Sequence, residues 1–298
     1  MDGLPDGVRV LLAPLLGDRL DRFLAAGQAA LALDSRQRWV QVGLTRGIGD
    51  WRELAERLDD LASGLLADPE TTNFFFMRKP PGLRIRFETA PGRRRELTDE
   101  LSARLESLWP LVERIQPGVY EPEELLFGGA ASMGFVHWLF TVDSCAWLAF
   151  HRLADPTPTW VFSLLLLRCL FDGLGIVGWE DLEVWSRIHR QAGRTLPVGM
   201  PVGKVADACA GIRAGWSDPG KLREGLSEPV AALVDTWGPR VRAAAADWSD
   251  GYFATRDAVI GPREGAAFAT VFHWNRGGIG IGTQSLLTAA LGDRSVRP

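Results

Sequence analysis

Cysteine is scarce in this 298-residue chain, and the three present, Cys145, Cys169 and Cys209, are odd in number and far apart. They fit neither a disulfide framework nor the close spacing of a zinc site, so a reducing, cytosolic setting is expected. Histidine is thin as well. His137, His151, His189 and His273 are scattered, with no HExxH and no paired CxxC, and no metal is expected. The start of the chain has no basic stretch leading into an apolar core, so no secretion signal is predicted. The most apolar run, Trp160 to Phe171, is interrupted by Arg168 and ended by Asp172. It falls short of the roughly 20 residues that cross a bilayer and is expected to be a buried helix. Net positive charge is missing too: 33 basic against 37 acidic residues give −4. That balance argues against nucleic acid or an anionic membrane as the main partner and makes any cationic site a local one.

What the chain does have is apolar content of 46%, enough to bury a substantial core. Arg38 to Thr45 has strand composition, and Asp50 to Leu66 repeats apolar residues at helical spacing through Trp51, Leu54, Leu58, Leu61 and Leu65. Asn73 to Arg78 and Leu83 to Glu88 are strand-like and flank Lys79-Pro80-Pro81-Gly82, a turn sequence. Leu97 to Val112 restores the helical period, and Ile115 to Glu121, with Pro117, suits an edge strand. The order βαββαβ predicts a ferredoxin-like unit. From Ala130 the texture becomes helical, over Met133–Leu153, Trp160–Leu174, Leu182–Gln191, Val205–Trp216 and Val230–Trp248, with loops expected at Gly193–Gly203 and around Gly261-Pro262. The fold class is therefore α+β, a single domain over residues 1–298 with an α+β lobe near 36–128 and a mainly helical lobe over 129–298.

Several side chains could carry chemistry. In Leu83-Arg84-Ile85-Arg86-Phe87-Glu88 the alternation puts Arg84, Arg86 and Glu88 on one strand face, either a polar substrate floor or an ordinary charged outer face. Phe272-His273-Trp274-Asn275-Arg276, followed by a run of glycines, concentrates a proton donor, an amide and a cation. It is either a site or a helix start with a glycine-rich loop, and it makes a poor dinucleotide or Walker motif. Tyr252 could move a proton or could be a core ring with a satisfied hydroxyl. His137 and His151, in an apolar stretch, suit buried structural roles, and His189, beside two arginines, a solvated one. Arg93-Arg94-Arg95 is the only compact cationic run, either a dock for an acidic peptide or a solvated turn. The twelve tryptophans should mostly fill the core.

Taken in order, Arg38–Thr45, FFFMRKPPGLRIRF at Phe74–Phe87, YEPEELLFGG at Tyr120–Gly129, the Asp143-Ser144 pair and the Asn275-Arg276 pair resemble the C-terminal domain of thiopeptide and lantibiotic dehydratases. Members that eliminate glutamate from glutamylated serine or threonine carry three ionisable groups that are replaced here. Gly82 stands at the hairpin histidine, Leu126 at the arginine before the aromatic-glycine-glycine, and Val271 at the histidine four residues before the Asn-Arg pair. A lyase without that acid/base and that cation should eliminate poorly.

Those departures resemble the other branch of the family, the stand-alone thiopeptide pyridine synthases. The resemblance implies a cofactor-independent enzyme acting on a thiazole- and dehydroalanine-containing precursor peptide with its leader. It would join two dehydroalanines in a formal four-plus-two aza-cycloaddition, with loss of water and leader. On that reading Tyr252 and His273 handle protons, and Arg84, Arg86 and Arg276 orient amide or anionic oxygens. Glu88 is a further acid/base, Trp274 and Asn275 line the substrate, and Arg93, Arg94 and Arg95 bind the leader. A split glutamate-eliminating lyase and a non-catalytic leader-binding subunit are the alternatives.

Overall fold

The computed structural model describes residues 6–27, 38–191, 194, 196 and 202–292. After an N-terminal helix, α1 (Asp6–Leu16), the chain forms β1 (Trp39–Arg46), α2 (Trp51–Leu66), β2 (Thr71–Lys79), β3 (Gly82–Thr89), α3 (Arg94–Glu106) and β4 (Val112–Gly118). The four strands make one sheet in the order β2-β3-β1-β4, and every neighbouring pair is antiparallel. Asp50 caps α2 by accepting the Glu53 N–H at 2.7 Å, which fixes the helix start one residue inside the expected run. Leu54, Leu58, Leu61 and Leu65 are buried from that helix. Each fully buried leucine contributes about 1.5–3 kcal/mol, so this stripe is a main bond between helix and sheet. Leu97, Leu101 and Leu105 do the same for α3.

α3 ends at Glu106 rather than running on to Val112. Pro110 lacks an N–H and disfavours helical backbone at the residue before it, so the chain turns there and β4 starts early, at Val112.

The helical part comprises α4 (Ala130–His151), α5 (Thr159–Gly173), α6 (Asp181–Gln191), α7 (Val202–Ser217), α8 (Pro219–Glu224), α9 (Glu228–Trp248), α10 (Pro262–Gly277) and α11 (Ile281–Gly292). The loop expected around Gly261-Pro262 runs up to Gly261, and Pro262 opens the next helix in a first turn where its missing N–H costs nothing. Most of the Gly193–Gly203 loop lies outside the described residues; from Val202 onward the chain is helical. α4 is long and apolar enough to cross a bilayer by length and composition, yet 72% of its most apolar window is buried inside the fold.

α4 and α10 close the open edge of the sheet with side chains. The β2 backbone N–H groups of Phe74, Phe76 and Arg78 donate to Thr141 Oγ1 (3.1 Å), Ser144 Oγ (3.3 Å) and Asn275 Oδ1 (2.7 Å), while Asn275 Nδ2 donates back to the Arg78 carbonyl (2.9 Å). An unpaired edge strand invites a foreign strand, and here three polar side chains replace it. Asn275 thus behaves as a one-residue β-partner that welds α10 to the sheet.

Candidate functional site

The strand register collects the polar groups of the sheet on one face. Arg84, Arg86 and Glu88 on β3 stand opposite Gly43, Gln41 and Trp39 on β1 and opposite Met77, Phe75 and Asn73 on β2. The other face carries Leu83, Ile85 and Phe87, all buried. Arg86 is only 4% exposed: its Nε donates to Gln41 Oε1 at 2.7 Å, and its guanidinium lies over the Phe75 and Tyr120 rings, 4.9 and 5.0 Å from their centroids. Gln41 Nε2 in turn donates to the Val119 carbonyl at 2.9 Å, tying the arginine to the loop after β4. Burial lowers the Arg86 pKa, opposed by the charge of Glu123 and by Tyr120. A guanidinium is protonated at any physiological pH, so this is a fixed cation in a poorly solvated place. Its Nη1 has no hydrogen-bond partner, and neither has Glu123 Oε2. These are buried polar atoms of opposite sense, and the Glu123 charge acts on Arg86. Glu88 beside them is held by Asn73 Nδ2 at 2.7 Å and Thr72 Oγ1 at 3.2 Å.

The wall over this floor comes from α4 and the loop that precedes it. Tyr120 Oη lies 2.8 Å from His137 Nε2, with Trp39 packed against both rings. Burial, and then the Arg86 charge, push the His137 pKa down to about 3, while burial raises that of Tyr120. The phenol therefore keeps its proton and the imidazole is neutral, so the two share one hydrogen bond across 2.8 Å.

The Phe272–Arg276 cluster is placed elsewhere. It occupies the last turns of α10, not a helix start, and it is enclosed. Arg276 (1% exposed) donates from Nε to Asp143 Oδ2 at 2.6 Å, and His273 Nδ1 lies 2.6 Å from Asp143 Oδ1. Burial alone would raise the Asp143 pKa, but the charges of His273 and Arg276 and their hydrogen bonds outweigh it and hold the carboxylate ionised. Trp147 Nε1 also approaches His273 Nδ1, at 3.0 Å; the shorter contact, to an ion, assigns the hydrogen to Nδ1. Nε2 lies 2.9 Å from Ser163 Oγ, a hydroxyl that also accepts from Trp274 Nε1 at 3.2 Å. The adjoining cavity, bounded by Leu139, Asp143, His273 and Arg276 among others, measures about 10 Å³. It has room for about one water and none for a peptide.

Proton transfer was expected of Tyr252 and His273, and the fold engages both internally. Tyr252, 1% exposed, donates to the Gly128 carbonyl at 2.9 Å and accepts from the Val259 N–H at 3.0 Å. Gly128 sits at φ +88°, and a Cβ there would lie 2.0 Å from the Tyr252 hydroxyl, so glycine is required on both counts. The candidates consequently fall into two groups. Arg84, Arg86 and Glu88 share the sheet face, while His273, Trp274, Asn275, Arg276 and Tyr252 serve internal joints. Gln41, Asn73, Tyr120, Glu123 and His137 were missed as members of the face. The resemblance singles out Arg38–Thr45, which holds Gln41, and Tyr120–Gly129, which holds Tyr120 and Glu123, without assigning roles to these three; Asn73 and His137 fall outside its landmarks.

Of the arginine run, Arg93 is bound to Glu70, Asp68 and Glu96, whereas Arg94 and Arg95 are exposed and line a cleft with Arg38. Among the described residues no group of three or more His, Cys, Asp or Glu side chains is arranged to hold a metal ion.

A family model described as the C-terminal domain of lantibiotic biosynthesis dehydratases matches residues 39–207. Among solved structures, the tRNA-dependent lantibiotic dehydratase MibB from Microbispora sp. 107891 superposes with a TM-score of 0.63 at 20% identity, over 86% of this chain and 28% of MibB. At that identity the likeness is one of fold, and the chain corresponds to under a third of MibB's length. No curated protein matched by sequence.

Proposed function

This chain belongs to the lantibiotic dehydratase C-terminal family, and on that footing we propose that it is a pyridine synthase of ribosomal peptide biosynthesis. Its substrate would be a leader-bearing peptide with thiazoles and two dehydroalanines, and its scaffold the four-stranded unit taken as ferredoxin-like. The reaction needs one backbone amide held as its iminol, an azadiene and an alkene held face to face, and proton donors for the departure of water and of the leader as its carboxamide. Proximity and orientation can supply on the order of 7–11 kcal/mol of such a barrier.

The observation that carries this reading is that Arg86 Nη1 and Glu123 Oε2 are both buried without a hydrogen-bond partner, while the Glu123 charge acts on Arg86. A neutral amide answers both, since its oxygen accepts from the arginine and its N–H donates to the carboxylate, the two contacts that favour the iminol. A glutamyl carboxylate answers only the arginine and is repelled by Glu123. Glu88, steadied by Asn73, is the second acid/base, and Arg84 completes the oxygen-binding side. Tyr252, His273, Asn275 and Arg276 are positioning residues in this account, because their hydrogen bonds are spent inside the fold.

The second reading is a split glutamate-eliminating lyase, favoured by the fold likeness to MibB and by the cations Arg84 and Arg86 on one sheet face. Supplying the protein with a bis-dehydroalanine thiazole peptide and, separately, a glutamylated peptide decides between them. Under the proposal only the first is consumed, giving a macrocycle and leader carboxamide. Loss of glutamate from the second, with the first unchanged, overturns it.

A further inference from the structure

Along the polar face of the sheet, a closed row of residues gives way to an open one. Arg86, Gln41 and Phe75 stand side by side and are buried, but two residues further along the strands Arg84, Gly43 and Met77 are half-buried, and Gln116 of β4, opposite Gly43, is exposed. Gly43 is the one glycine of β1, an interior strand paired with β3 on one side and β4 on the other.

Glycine weakens an interior strand, since it brings backbone freedom and no side chain to pack. It is used there for a bulge, a tight bend or the close approach of another backbone or a ligand. The ladder is regular at Gly43: pairing runs unbroken from Gln41 to Leu44 with both neighbours, and the irregularity with β4 falls later, between Thr45 and Arg46. Gly43 is not among the glycines with positive φ. A Cβ built on it would meet only the Gln116 carbonyl oxygen at 3.6 Å and the Gln116 Cβ at 3.8 Å, which is ordinary van der Waals contact. Among the described residues no helix or loop comes within 4 Å of that position. The fold has room for a side chain here, does not need glycine for its backbone, and carries none.

The missing side chain leaves a slot one residue wide, with Arg84 on one side, Gln116 on the other and the Arg86–Gln41 pair at its end. Arg84 offers donors only, whereas the Gln116 amide both donates and accepts, so the two sides suit the carbonyl and N–H groups of a peptide laid over the strand. Resting on the peptide-substrate reading above, we propose that Gly43 is a specificity-determining residue whose slot receives a dehydroalanine-containing stretch of substrate backbone and seats it against Arg86. A dehydroalanine has a trigonal Cα and lies flat, so a floor bare of Cβ lets its alkene and both flanking amides rest against β1 together.

The test replaces Gly43 by alanine and by valine, and measures melting and the binding of a labelled, leaderless core peptide with thiazoles and two dehydroalanines by fluorescence anisotropy. Gly43→Ala is expected to melt no lower than the wild type, because nothing in the fold requires the glycine. Binding is expected to weaken about threefold in Gly43→Ala and about tenfold or more in Gly43→Val, as side-chain atoms fill the slot. If valine disrupts the sheet, the alanine variant alone carries the test. A lower melting temperature for Gly43→Ala makes the glycine structural, and binding by the folded variants equal to that of the wild type leaves the slot unused; either result overturns the inference. A wild type that does not bind the core peptide overturns both this inference and the function proposed above. One that binds it without forming a pyridine, with binding still weakened in the variants, overturns that function and leaves the slot standing.

Discussion

Two polar regions lie a few side chains apart in this molecule, each built round a buried arginine. In the knot between α4, α5 and α10, Arg276 meets Asp143, Asp143 meets His273, and His273 meets Ser163, so each of these four side chains has a partner. On the sheet face Arg86 is held by Gln41 at one nitrogen, while another nitrogen and Glu123 Oε2 find nothing. The aromatic rings Phe140 and Phe75 connect the two, with Arg276 4.5 Å from the centroid of the first and Arg86 4.9 Å from that of the second. Saturation is what separates them. A polar cluster with every bond closed specifies how helices pack, whereas one with open bonds in a buried place is left ready for a ligand.

The largest effect that would break this contrast is expected at the knot. Asp143→Ala leaves Arg276 as an uncompensated buried cation and should lower stability by about 3–5 kcal/mol, measured by urea unfolding. A loss below about 1 kcal/mol would mean that the knot is not structural. Next comes Glu123→Gln, which keeps shape and removes the base. We expect turnover to fall about a hundredfold with the melting temperature nearly unchanged, and a stability loss instead would move Glu123 to the structural side.

Acid sharpens the comparison further. His137 and His151 are both held near pKa 3, by burial and then by the charges of Arg86 and Arg78 respectively. The unfolded chain, with histidines near 6.5, binds their protons first as pH falls, so folding is weakened below about pH 6.5 and unaffected by them above it. Each contributes a slope of at most about 1.4 kcal/mol per pH unit until pH approaches 3. Unfolding between pH 7 and 5 should show that slope, reduced by half in His151→Asn. The smallest effect is predicted for Tyr252→Phe, about 1 kcal/mol of stability with turnover unchanged; a lost turnover would return Tyr252 to the chemistry.

The alternation in Leu83 to Glu88 was enough to predict the charged face, and the helical spacing of Leu54, Leu58, Leu61 and Leu65 was enough to predict α2. The other half of the site was not legible in this way. Gln41, Asn73, Glu123 and His137 meet Arg86 or Glu88 only through strand register and the packing of α4, which no local pattern encodes. The two last helices were hidden by their own boundaries: Pro262 and Gly278 punctuate loops elsewhere, but here they start and stop a helix, with Gly278 in the left-handed conformation at φ +65°. The placement of His273 and Tyr252 inside the fold was hidden for a related reason. Residue type shows that a side chain can move a proton, and only its partners show whether that capacity is already taken.

The central claim is that the open sheet face, rather than the closed knot, performs the proposed cyclisation. Intact-mass analysis of a leader-bearing bis-dehydroalanine thiazole peptide, incubated with wild type and with Arg86→Gln, addresses it directly. The account predicts a macrocycle and leader carboxamide from the wild type and unchanged peptide from the variant, with both proteins melting at the same temperature. Full turnover by Arg86→Gln, or no macrocycle from a wild type that binds the peptide, would contradict it.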